Sequence, residues 1–140
     1  MLDPLSHLPG YALRRAANAM MGELATRLSK IELRVVDASV LMLVANRKDV
    51  TSSDIGRVLE IQRANMVPLL NRLEAAALIA RVPLDRKSSA IVLTDAGRAK
   101  LREVEQVTCH FEADLLAKIP AEHRDHLLPA LNALWRSSSS

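Results

Sequence analysis

Apolar residues along this chain fall mostly in a helical rhythm. From Tyr11 to Ile31, Leu13, Ala17, Met20, Leu24, Leu28 and Ile31 recur three or four apart, with Arg14, Arg15, Glu23, Arg27 and Lys30 off the stripe. That spacing predicts a long amphipathic helix with a narrow apolar seam. Residues 35–46, VVDASVLMLVAN, are apolar almost all round, the pattern of a helix buried in the centre of a small domain. Thr51 and Asp54 then stand three apart and predict a capping box that opens a short helix through Val58 or Leu59. The next helix is expected from about Gln62 to Leu78, with Met66, Leu70, Leu73 and Ala77 on one face. Ala64, Asn65, Pro68, Asn71 and Arg72 lie broadly opposite.

The rhythm changes after Leu78. Ala80, Val82, Ile91 and Leu93 are spaced for one face of a two-stranded ribbon, and Asp85, Arg86, Lys87, Ser88 and Ser89 form its polar tip. Thr94 and Asp95 then cap a helix carrying Leu101, Val104, Thr108, Phe111, Leu115 and Ile119. Pro120 marks a break and suits the first position of a last helix, whose apolar face is Leu127, Leu131, Leu134 and Trp135. Pro129 inside it is expected to kink or shorten that helix.

The predicted architecture is mainly α with a small two-stranded antiparallel wing, in one domain over 1–140. A winged helix-turn-helix occupies about 35–97, and long helices at about 8–31 and 98–136 flank it. The short helix and its longer successor fit either a DNA-reading pair or an ordinary helical hairpin, and the charged ribbon directly after them favours the first. The terminal helices either fold back within one chain or interdigitate in a symmetric dimer. The dimer is expected, because one winged unit cannot bury both seams. Leu13, Met20, Leu24, Leu127, Leu131, Leu134 and Trp135 are its candidate contacts. Two recognition helices about one DNA turn apart would read a palindrome.

Composition narrows the function classes. With 49% hydrophobic and 25% charged residues, the chain can build a core and does not read as disordered. Its net charge of +3 is mild, but residues 51–94 carry six Lys/Arg against four Asp/Glu and residues 95–140 carry six against seven. The basic excess therefore lies outside the C-terminal third, which fits a nucleic-acid face and also an ordinary solvated surface. A single cysteine, Cys109, excludes an internal disulfide. No apolar run approaches the roughly 20 residues that cross a bilayer, and no signal-peptide pattern opens the chain, so a cytoplasmic location is expected. Ser137 to Ser140 read as a frayed tail.

Catalytic constellations are absent. Gly10, Gly22, Gly56 and Gly97 are too scattered for a phosphate loop, and no GxSxG, HExxH or SxxK occurs. No enzyme activity, cofactor or metal is expected. His123 and His126 can share a helical face near Glu122, but no second ligand pair accompanies them. Cys109, flanked by Glu105 and Glu112, reads as a packed thiol rather than a redox sensor.

For DNA contact the candidates are Arg63, Ala64, Asn65 and Arg72 on or near the second helix, and Arg86 and Lys87 on the wing. Asn suits adenine and Arg suits guanine or phosphate. Arg72 could instead pair within the protein, with Glu74 or Asp85. Ser52 and Ser53 stand where a helix N-terminus holds phosphate or is simply capped.

Over about residues 8–135 the chain resembles the MarR family of bacterial transcriptional regulators. LPGYALRRAANAM resembles the family's first dimerisation helix, and NRLEAAALIARVPLDRKSSAIVLTDAGRAKL its helix-wing-helix block. Asp85 and Lys87 fall on the Asp-x-Arg wing motif, and Leu93, Thr94 and Gly97 on LT-x-x-G. The resemblance implies a homodimeric repressor or activator of a palindromic double-stranded operator, responsive to a small, often aromatic effector whose binding residues are unknown. Five positions depart from the pattern. Glu60 and Ala77 replace glycines, Gln62 replaces a Ser or Asp cap, Lys87 replaces the wing Arg, and Pro68 replaces an Arg on the recognition helix. Pro68 weakens the case for base or phosphate contact at its position. It also motivates a second reading, a dimeric ligand-binding or protein-interaction module with weak or lost DNA binding.

Overall fold

A computed structural model describes residues 3–136. The elements run α1 (Pro9–Ser29), α2 (Val35–Ala45), α3 (Ser52–Leu59), α4 (Arg63–Ala75), β1 (Ile79–Pro83), β2 (Ser89–Leu93), α5 (Asp95–Ala117), a 3-10 turn (Ala121–His123) and α6 (Arg124–Trp135). The chain divides into two compact units, Met1–Val107 and Thr108–Ser140. The expected serine tail lies outside the described residues.

The core of the first unit gathers Leu28 of α1, Val40, Leu41 and Val44 of α2, Ile55 of α3, and Met66, Leu69, Leu70 and Leu73 of α4. Ile79, Ile91 and Val104 complete it from the wing and α5. As expected, α2 is central, with Val40 and Leu41 fully buried. Sequence patterning missed its one charged core residue, Asp37, which is 4% exposed. Thr51 caps α3 as predicted: its Oγ1 accepts from the Asp54 amide at 3.2 Å, while Asp54 Oδ2 accepts from the Thr51 amide at 3.0 Å.

The recognition-helix candidate is shorter than expected, because α4 stops at Ala75 rather than Leu78. Ala77 turns left-handed at φ 62°, and the Leu78 amide reaches back to the Leu73 carbonyl at 3.1 Å, closing a Schellman end. The wing also departs from its expected pattern. The register pairs Ile79 with Leu93, Ala80 with Val92, Arg81 with Ile91 and Val82 with Ala90. Ala80 and Val82 thus share a face with Val92 and Ala90, not with Ile91 and Leu93. Residues directly opposite lie on one side of a ribbon, so a register one residue from the expected one exchanges the faces. Ile91 also donates its amide to the Val50 carbonyl at 2.7 Å, anchoring the base of the wing to the segment before α3.

The second unit contains the end of α5, the 3-10 turn and α6. Pro120 precedes the 3-10 turn instead of opening the last α-helix. Arg124 closes the end of α5, its Nε donating to the Ile119 carbonyl at 2.8 Å. Pro129 does not shorten α6, which runs on to Trp135. Cys109 is exposed, correcting the packed thiol expected from its apolar neighbours. Among the described residues no helix is long and apolar enough to cross a membrane, and no three His, Cys, Asp or Glu side chains gather as metal ligands.

Candidate nucleic-acid interface

Three local devices fix the surface around α3, α4 and the wing. The first is the turn between the two helices. Glu60 adopts φ 56°, ψ 45°, and the Ile61 amide returns to the Gly56 carbonyl at 2.8 Å. A glutamate thus takes the left-handed position that glycine occupies at ordinary strain-free cost. Gly56 leaves little room at this corner, since a Cβ there would stand 3.1 Å from the Ile61 carbonyl oxygen.

The second device is the wing tip. Asp85 Oδ1 accepts from the Lys87 amide at 2.8 Å, the Ser88 amide at 2.9 Å and the Ser88 hydroxyl at 3.1 Å. The two backbone donors, Lys87 first, hold its carboxyl below the usual aspartate range. Asp85 therefore folds the loop through main-chain groups. The lost bidentate partner at Lys87 costs the tip nothing visible, and neither Arg86 nor Lys87 has an ion-pair partner among the described residues.

The third device locks the wing to α5. The Thr94 hydroxyl donates to the Ala77 carbonyl at 2.5 Å and accepts from the Gly97 amide at 2.9 Å, while the Thr94 amide donates to the Leu78 carbonyl at 3.1 Å. A Cβ on Gly97 would lie 2.0 Å from that Leu78 oxygen. The spacing from Leu93 to Gly97 thus has a steric basis: threonine joins the helix start to the strand start, and only glycine permits the approach.

These devices surround an open groove of about 610 Å³. Ser52 and Ser53 at the start of α3, Arg57, Arg63 at the start of α4, Arg81, and Lys87 on the wing all line it. Of the residues expected to meet DNA, Ser52, Ser53, Arg63 and Lys87 are brought together here. Ala64 and Asn65 are exposed on α4 beside it, and Arg86 is exposed at the tip. Arg57 and Arg81 were not anticipated. Arg57 bonds Asp54 at 2.7 Å yet remains 70% exposed. Arg81 reaches from β1 to α4, donating to Asn71 Oδ1 at 3.2 Å and standing 3.5 Å from Glu74. The alternation of side chains along β1 could have flagged Arg81, had the register been known.

Arg72 is the residue the structure moves elsewhere. Its Nη2 donates to Asp37 Oδ1 at 2.5 Å, while Asp37 Oδ2 accepts the Arg34 amide at 2.9 Å. It pairs with neither Glu74 nor Asp85. One buried carboxylate therefore starts α2 and holds the last turn of α4, and Arg72 serves that contact instead of the open groove.

A helix-turn-helix whose second helix flanks a cationic groove closed by a charged ribbon defines a winged helix-turn-helix protein. The comparisons with known proteins agree. A sequence profile of the MarR family matches residues 32–88. A putative transcriptional regulatory protein for the hcr operon of Thauera aromatica is 26% identical over 133 residues, 93% of this chain and 80% of that protein. The transcriptional repressor CouR, solved bound to a 23-mer DNA duplex, superposes with a TM-score of 0.86 at 32% identity, covering 96% of this chain and 98% of that one. CouR bound to p-coumaroyl-CoA gives a TM-score of 0.86 at 30% identity, covering 98% of both chains. The chain belongs to the MarR family of transcriptional regulators.

Proposed function

We propose that this protein is a homodimeric repressor that binds a palindromic double-stranded operator and releases it on binding a small aromatic effector. The single observation that carries the reading is the grouping of Arg57, Arg63, Arg81 and Lys87 around one groove with the start of α3. Phosphates of a duplex complement that charge and the free backbone N–H groups of a helix start. In this reading α4 enters the major groove, with Arg63, Ala64 and Asn65 nearest the bases. Ser52, Ser53 and Arg57 take phosphates, and Arg86 and Lys87 follow the adjacent minor groove. Arg72 is left out, because Asp37 holds it.

CouR supports both halves of the mechanism, as it has been solved with DNA and with p-coumaroyl-CoA. The effector acts by favouring a dimer shape whose two reading heads no longer match the half-site spacing. No enzymatic step is needed for this, and a cytoplasmic location follows from the role.

A fluorescence-anisotropy titration of labelled genomic fragments over a salt series tests the proposal. Affinity is expected to fall steeply and log-linearly with salt, and Arg86→Ala is expected to weaken binding to every duplex while reducing the salt slope by about one. If no fragment is retained at low salt, the protein is not a DNA reader.

A further inference from the structure

Resting on the DNA-binding reading above, we infer that the outward face of α4 recognises thymine through its C5-methyl group, with Val67 and Pro68 as the specificity-determining residues. The core-facing side of α4 is set by Met66, Leu69, Leu70 and Leu73, all buried. At 100° per residue, the opposite side is centred on Ala64, Pro68 and Asn71, with Val67 on its flank. All four are exposed, and Val67 is 59% exposed. A single exposed valine would be ordinary. Here three apolar side chains are contiguous on the helix that flanks the cationic groove, with Arg63 before them and no carboxylate on α4 before Glu74.

Pro68 sharpens the point. It sits at the sixth residue of a thirteen-residue helix and removes the backbone hydrogen bond that would reach the Ala64 carbonyl. Its ring is exposed, so it adds nothing to the core in return. A cost to the helix with no packing gain points to a use on the outside. The absence of an arginine at this position, read from sequence as a lost contact, is an exchange of one kind of contact for another.

Chemistry selects thymine among the four bases. In the major groove thymine alone shows a methyl group, beside an O4 acceptor, whereas cytosine shows an amino donor and guanine two acceptors suited to arginine. An apolar stripe matches the methyl. Asn71 supplies the matching donor: Arg81 occupies its Oδ1, leaving the amide nitrogen to donate to an acceptor such as O4. Asn65, one residue round the helix, suits the paired adenine.

The test starts from duplexes that the full-length protein selects from a randomised library. The best of these is resynthesised with deoxyuridine for each half-site thymine in turn, which deletes only the methyl group. Affinity is expected to drop roughly three- to fourfold at each contacted thymine, the scale of one methyl group leaving water. That penalty should shrink in the Val67→Ala, Pro68→Ala double variant, where both changes are on the surface and the second restores a helix hydrogen bond. Equal affinity for thymine and uracil duplexes overturns the inference and leaves the regulator reading standing, as does an undiminished uracil penalty in the double variant. If no duplex is selected at all, the regulator reading itself fails and takes the inference with it.

Discussion

Glu32, Glu60 and Ala77 each turn a helix end at φ near 60° without being glycine. Each is followed by an amide that reaches back five residues, from Leu33 to Leu28, Ile61 to Gly56 and Leu78 to Leu73. The left-handed conformation costs an L-residue about 1–2 kcal/mol, and glycine returns part of that as chain entropy. Ala77→Gly should therefore raise stability by about 0.5–1 kcal/mol. Gly97→Ala should lower it by about 3 kcal/mol, because the added methyl meets the Leu78 carbonyl and neither backbone can yield without breaking the Thr94 contacts. Urea unfolding of the two variants checks both signs. Equal midpoints for wild type and Gly97→Ala would show that the helix start is not packed against that carbonyl.

At the scale of elements, the orientation of the reading helix depends on one buried carboxylate. Asp37 joins the start of α2 to the end of α4 through Arg34 and Arg72. Losing one partner of a buried pair usually costs 3–5 kcal/mol, and the 39% exposure of Arg72 reduces that. Asp37→Ala is expected to destabilise by about 2–3 kcal/mol. In a double-mutant cycle with Arg72→Met, the coupling should be about 1 kcal/mol or more. Strict additivity in denaturant titrations would mean that the pair does not hold the two helices. This contact was not legible in the sequence. The sequence offers Arg72 for DNA contact or for a pair with Glu74 or Asp85, and nothing local connects it to Asp37, 35 positions away.

For the whole molecule, the most exposed large apolar side chains among the described residues lie on α6, and others lie on α1. Leu128, Leu134 and Trp135 of α6 are 66%, 66% and 68% exposed, and Leu13 and Met21 of α1 are 39% and 46% exposed. Faces of this kind are covered by a partner in a stable protein, and the proposed homodimer would cover them. Trp135 is the only tryptophan, so it reports on this surface directly. Sedimentation should give a dimer at micromolar concentration, with tryptophan emission shifting red on dilution, and Leu134→Asp should yield a folded monomer that binds DNA at least tenfold more weakly. A wild-type monomer at that concentration would remove the dimer from the proposal.

The sequence by itself determined the identity and order of the elements, since 3.6-residue periodicity, the Thr51–Asp54 capping box and the Asp85 tip are local patterns with local causes. It also carried the family, through a motif from Leu93 to Gly97 whose steric basis appears only when Leu78 is brought alongside. Tertiary structure decided what depends on distance in space rather than in sequence. It set the wing register, drew Arg72 away to Asp37, added Arg57 and Arg81 to the groove, and left Val67 and Pro68 exposed on α4. Local pattern chooses an element's type because its hydrogen bonds and faces repeat within a few residues. Which charged side chain remains free to meet a ligand depends on what the rest of the fold offers it first.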